Sequence, residues 1–183
     1  MKDFVLKGHV CYSKSKNELI TQENAYLVCV NGKSKGVFSE LPQQYSQLPF
    51  VDYGDHLIVP GMVDLHIHAP QYAFRGMCMD LELMDWLNRY TFPEEEKYAD
   101  LDYAEKAYSI FVNALRSGAT TRAVIFATRH RPATELLMGL MERSGLVSYV
   151  GKVNMDREAT EALEEDSAEM SAYTTFGWIN GVK

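Results

Sequence analysis

The apolar residues of this chain follow two different patterns. Up to about residue 58 they come in short runs rich in β-branched and aromatic side chains, Phe4 to Tyr12 and Ala25 to Val30, which read as strands. Asn31-Gly32-Lys33-Ser34-Lys35-Gly36 is a turn leading to Val37 and Phe38, and Glu40 to Leu48 carries neither helical nor strand period and reads as a loop. From residue 59 the pattern becomes strand, helix, strand, helix, strand, the order of parallel βα units. Asp102 with Glu105 makes a capping-box-like start, Ala104, Ala107, Tyr108, Phe111 and Leu115 form one apolar stripe, and Gly118 stops it. The strand Thr121 to Thr128 holds the buried-looking run Ala123-Val124-Ile125-Phe126-Ala127. It feeds a helix opened near Pro132, with Leu136, Leu137, Leu140 and Met141 inward and Gly145 as its end. A third strand is expected over Ser148 to Met155, followed by an acidic helix from Glu158 to Tyr173.

The first strand of the second region ends on a chemical signal, Val59-Pro60-Gly61-Met62-Val63-Asp64-Leu65-His66-Ile67-His68. Successive strand side chains point to opposite faces, so His66 and His68 share one face, with Asp64 on the same side, while Leu65 and Ile67 pack on the other. Two neutral imidazoles aimed at one point suit a divalent transition metal, most often zinc or iron. Parallel barrels and open sheets place their active sites at the carboxyl ends of the strands, where these histidines fall. A metal held by nitrogen ligands lowers the pKa of bound water from about 15.7 toward about 7, which makes hydrolysis the default reaction class.

Composition narrows the alternatives. A hydrophobic content of 46% fits a globular protein, and 18 basic against 25 acidic residues give a net charge of -7, which disfavours nucleic-acid backbones as partners. The acidic excess lies largely in Glu94-Glu95-Glu96 and in Asp156 to Glu169, both expected to be solvated helix faces. Cys11, Cys29 and Cys78 are odd in number and form no CxxC pair, so a reducing cytoplasm is the simplest setting. The start lacks the apolar stretch of a signal peptide, and no segment approaches the ~20 apolar residues of a membrane span. HExxH, HxE with PCxxC, GxGxxG, Walker A and GxSxG signatures do not occur.

The segment Pro60-Gly61-Met62-Val63-Asp64-Leu65-His66-Ile67-His68 resembles the first-strand motif of the amidohydrolase superfamily, metal-dependent hydrolases built on a TIM-like barrel. Ala69-Pro70-Gln71-Tyr72-Ala73-Phe74-Arg75-Gly76, followed by Leu83-Met84-Asp85-Trp86-Leu87-Asn88-Arg89-Tyr90-Thr91-Phe92-Pro93-Glu94, is similar to the guanine deaminase family within it. Gly118-Ala119-Thr120-Thr121, Phe126-Ala127-Thr128 and Val150-Gly151-Lys152-Val153-Asn154-Met155-Asp156 extend the likeness, which covers residues 57 to 157 well. The resemblance implies hydrolytic deamination of guanine to xanthine and ammonia with one bound zinc, guanine and water as substrates, and room for a homodimer of the complete enzyme. It implies His66 and His68 as the first two zinc ligands and Gln71 as a purine contact, a role suited to an amide that offers both donor and acceptor. Gln71 as a simple loop cap stays open. Trp86, Tyr90 and Phe92 either line a pocket for a flat ring or belong to plain core.

The remaining candidates are weaker. His130, between Arg129 and Arg131, reads as an exposed loop residue, His9 and His56 show no partner, and Asp64 reads as a strand or supporting hydrogen-bond residue rather than a ligand. The resemblance places the later histidines, an aspartate, the proton-shuttling glutamate and a guanine-binding arginine beyond what this chain offers, so no catalytic acid or base is assigned. The expected fold is α/β: a partial TIM-like (β/α) barrel of about three βα units over 59–183, preceded over 1–58 by a small, incomplete β-sandwich layer. About 125 residues follow that layer, whereas such a barrel takes about 250. The barrel is therefore expected not to close alone, its strand edges and helix faces to lie open, and the isolated chain to be inactive. A non-enzymatic metal-binding fragment and another ring aminohydrolase of the same superfamily remain as alternatives.

Overall fold

Strand β1 (Phe4–Ser15) buries Val5 and Val10 and pairs antiparallel with β2 (Glu18–Val30), which buries Ala25 and Val28. The computed structural model describes residues 2–181. Both strands run longer than their apolar runs, because backbone pairing continues through polar pairs such as Ser15 with Glu18. Asn31 and Gly32, at φ 55° and 70°, make the left-handed two-residue turn that suits a twisted hairpin, and β3 (Lys33–Phe38) follows. The loop expected at Glu40 to Leu48 contains a single 3₁₀ turn, Gln43–Tyr45. Strand β4 (Phe50–Ile58), interrupted in sequence by Gly54 at φ 56°, joins β1 in parallel to give one four-stranded sheet of order β3-β2-β1-β4. The chain divides into units Met1–Pro60 and Gly61–Lys183.

The second unit is built on a parallel three-stranded sheet, β5 (Met62–His68), β6 (Thr120–Phe126) and β7 (Val147–Gly151), in that order. Helices α1 (Leu83–Trp86), α2 (Phe92–Glu96) and α3 (Leu101–Ser117) lie between β5 and β6; α4 (Arg131–Ser144) joins β6 to β7, and α5 (Ala168–Gly181) follows. The α3 cap is Asp100, two residues before the expected one: its carboxylate accepts the Asp102 amide at 2.9 Å and the Tyr103 amide at 3.4 Å. Gly145, at φ 78°, closes α4 in the left-handed conformation glycine permits.

Between α1 and α2 the helix widens to a π turn over Leu87–Thr91, in which the Phe92 amide donates to the Leu87 carbonyl. Pro93 supplies the cause, since it lacks an N–H and its ring excludes the ordinary α bond one turn back. Tyr108, Phe111, Ile125, Leu137 and Met141 are the large buried side chains of the core between α3, α4 and β6. Ala123 and Ile125 face that core, Arg122 is exposed, and Val124 and Phe126 are half-buried, so only one face of β6 carries both helices.

Three expectations are corrected here. The third strand ends at Gly151, and the acidic helix begins only at Ala168, where the Ser167 hydroxyl accepts the Met170 amide at 3.1 Å as a cap. The intervening loop instead packs inward through Leu163 and Glu165. Leu65 does not pack behind the strand: it is 71% exposed, because α3 and α4 cover β6 and reach only Ile67 on β5. No helix among the described residues is long and apolar enough to cross a membrane.

Candidate metal centre

Strand β5 is held against β6 by a close approach that only glycine allows. A Cβ on Gly61 would overlap the Thr121 side chain, whose hydroxyl donates to the Met62 carbonyl at 3.4 Å. Gly61→Ala should therefore destabilise the second unit by about 1–3 kcal/mol through overpacking. Thr121→Gly in the same chain should recover most of that loss, with urea unfolding as the measurement.

The register of β5 against β6 is irregular where the chemistry lies. Asp64 pairs with Ala123 and Ile67 with Ile125, so three steps on β5 match two on β6, and the extra residue falls at Leu65-His66. This is a bulge, a device that re-aims side chains. Beyond it His68 pairs with Phe126. Both imidazoles lie against the Phe126 ring, His66 tilted at 4.8 Å and His68 stacked at 4.9 Å between centroids, and the two imidazoles are 5.1 Å apart. Phe126 was missed as a site residue in the sequence; its strand period, opposite Ala123 and Ile125, is the signal that places it on the histidine face.

The donor set fits a transition metal in kind. Burial, reinforced by the neighbouring His66, lowers the pKa of His68 and so keeps its imidazole in the neutral form that ligates. His68 Nδ1 is buried without a hydrogen-bond partner among the described residues. Two nitrogens are fewer than the three or four protein ligands of a zinc site, and no cluster of three or more His, Cys, Asp or Glu among the described residues could hold a metal. The Asp64 carboxylate accepts the His66 backbone amide at 3.1 Å.

Gln71 stands half-buried in the 3₁₀ turn Pro70–Phe74, three residues past His68 at the carboxyl end of β5. Trp86 packs on Phe74 at 5.5 Å, Phe92 is buried on α2, and Tyr90 is half-buried beside Cys78. None of these three rings shares an aromatic contact with either imidazole among the described residues. His130, expected exposed, is half-buried as the residue before α4; its amide donates to the Thr128 hydroxyl at 3.0 Å. Burial, with the charges of Arg129 and Lys152, lowers its pKa. His9 Nε2 lies 3.8 Å from Asp55, and His56 Nδ1 lies 2.6 Å from the Tyr53 carbonyl oxygen.

The acidic runs are not solvated throughout, contrary to expectation. Glu94 is 7% exposed, bonded to the Tyr103 hydroxyl and paired with Lys97 at 2.7 Å. Glu95 is 2% exposed, and burial pushes its carboxyl up to about 7. In the second run Glu165 pairs with Lys152 at 2.8 Å, the two side chains 9% and 3% exposed. A charge run in the sequence carries no mark of which carboxylates turn inward.

Comparison with known proteins adds a family. The model of the amidohydrolase family matches residues 57–179. Guanine deaminase of Rattus norvegicus is 42% identical over 122 residues, 67% of this chain and 27% of that protein. The Escherichia coli enzyme is 37% identical over 153 residues, 81% of this chain and 34% of its own length. The crystal structure of guanine deaminase from C. acetobutylicum with bound guanine in the active site superposes at a TM-score of 0.88 with 39% identity, over 97% of this chain and 42% of that one. The chain thus spans roughly a quarter to a third of the length of the curated relatives named here.

Proposed function

Because the chain belongs to the amidohydrolase family, we propose that it carries the first-strand half of a zinc centre for the hydrolytic deamination of guanine to xanthine and ammonia. The single observation behind this reading is the pair His66 and His68, held on one face of β5 against Phe126 at the carboxyl end of a parallel sheet. Similarity to guanine deaminases, one of them solved with guanine bound, supports guanine as the substrate.

In this reading His66 and His68 are two of the zinc ligands. Zinc, when bound, supplies the Lewis acidity that makes water a nucleophile near neutral pH. Phe126 keeps both rings from rotating away, and the low pKa of His68 keeps its ring free of a competing proton. Gln71, placed where β5 opens into the turn, offers an amide N–H and an amide oxygen to the donor and acceptor edge of the purine. Trp86 and Phe92 support the turn that carries Gln71, through Phe74 and the α2 packing, rather than touching the purine.

The acid and base of the reaction lie outside this set of residues, so the chain alone supplies no proton shuttle. The isolated chain, given zinc and guanine, is expected to form no xanthine. A protein extended by the rest of the barrel is expected to form it in a zinc-dependent way and to lose the activity with His66→Ala. Turnover by the isolated chain would refute the division of the site; a fully active His66→Ala variant of the extended protein would refute the site itself.

A further inference from the structure

We propose that Asp64 is a positioning residue for the metal centre, its carboxylate fixing the bulged backbone that sets the His66 imidazole beside that of His68; this rests on the reading of His66 and His68 as ligands. Three observations meet at this residue. The register between β5 and β6 slips by one residue between Asp64 and Ile67, so the ladder does not dictate the backbone at Leu65 and His66. Within that slip the Asp64 carboxylate accepts the His66 amide at 3.1 Å, an aspartate-to-backbone bond two residues on that offers the chain a defined local conformation. Beyond the slip His68 returns to register with Phe126, and both rings settle on that one side chain.

The His66 imidazole therefore depends on this one peptide. Rotation of the Asp64–His66 backbone would swing the His66 ring off Phe126 while leaving His68, held by the ladder, in place. Leu65 cannot restrain the segment by packing, since it is largely exposed. The carboxylate bond is the local contact left to do so. What the bond needs is an oxygen acceptor at the right reach, and the aspartate side chain meets the amide two residues on without strain.

Zinc titration of the full chain, read by NMR at the imidazole ring protons, tests the inference together with hydrogen exchange at the His66 amide. Asp64→Ala should weaken zinc binding by about 10- to 100-fold, the usual loss when a group supporting a ligand is removed, and should speed exchange at the His66 amide. Asp64→Asn keeps an oxygen acceptor at the same reach and should bind zinc as the parent does. Asp64→Glu keeps the charge but overshoots the amide, and should behave like the alanine variant; if Asp64→Ala does not fold, the contrast between Asn and Glu decides. Parent-like affinity in the Ala or Glu variant, or a weakened Asn variant, would overturn the proposal while leaving the ligand pair standing. A parent chain whose histidine rings ignore zinc would overturn the ligand reading and this inference with it.

Discussion

Glu165→Ala is expected to destabilise the second unit by about 3–5 kcal/mol, the cost of leaving one member of a buried ion pair unpaired. The Lys152 ammonium donates to Glu165 at 2.8 Å, to the Asn154 side chain at 2.8 Å and to the Val153 carbonyl at 3.0 Å. Glu165 in turn accepts the Met155 amide at 2.9 Å and the Ser171 hydroxyl at 2.8 Å. Burial alone would raise the Glu165 carboxyl, but Lys152, the Met155 amide and the Ser171 hydroxyl outweigh it and hold the group below the usual carboxylate range. Stability from this group is therefore present above the ordinary carboxylate pKa and is lost as pH falls through the lowered one. Both tryptophans, Trp86 and Trp178, lie in the second unit, so their fluorescence in urea reports its unfolding directly. Joint replacement, Lys152→Met with Glu165→Leu, should cost much less than Glu165→Ala, because it removes both charges at once. Equal losses for the single and the joint replacement would show that the pair is not the origin of the effect.

Glu95 should act in the opposite direction with pH. Its carboxyl is raised from 4.5 to about 7 by burial, so the folded chain holds a proton that the unfolded chain releases. The stabilisation is complete below about 4.5 and is lost as pH rises through about 7, a change on the order of 3 kcal/mol. Glu95→Gln, which cannot ionise, should flatten this part of the stability curve and leave the variant more stable than the parent at pH 8. Urea midpoints at pH 5 and pH 8 for both proteins measure it. Parallel curves would mean that Glu95 is ionised in the folded chain at both pH values. Because Glu95 and Glu165 oppose each other, only the single variants separate them.

Local features were the readable part of this chain. The α3 stripe, the Gly118 and Gly145 stops, the Asn31-Gly32 turn and the β6 run each depend on residues a few positions apart, and each has a counterpart in the fold. What escaped reading depends on partners far along the chain. Lys152 meets Glu165 across 13 residues, and Glu96 meets Thr160 across 64. These contacts turn part of the acidic runs inward, and the last helix begins only at Ala168. The strand ending at His68 was legible as an HxH pair on one face, but not the slip at Leu65-His66, since a bulge is a property of two strands and the sequence shows one at a time. Phe126 meets the histidines only when β5 and β6 are laid side by side, whereas the supporting bond of Asp64 is local to β5.

The central claim, that His66 and His68 bind one zinc ion together, is tested most directly by titrating the chain with zinc while following the ring protons of all five histidines by NMR. The His66 and His68 signals are expected to move together along one saturating curve, those of His9, His56 and His130 to stay still, and His66→Ala to remove the response at His68. Independent movement of the two, or a response centred on another histidine, would contradict it.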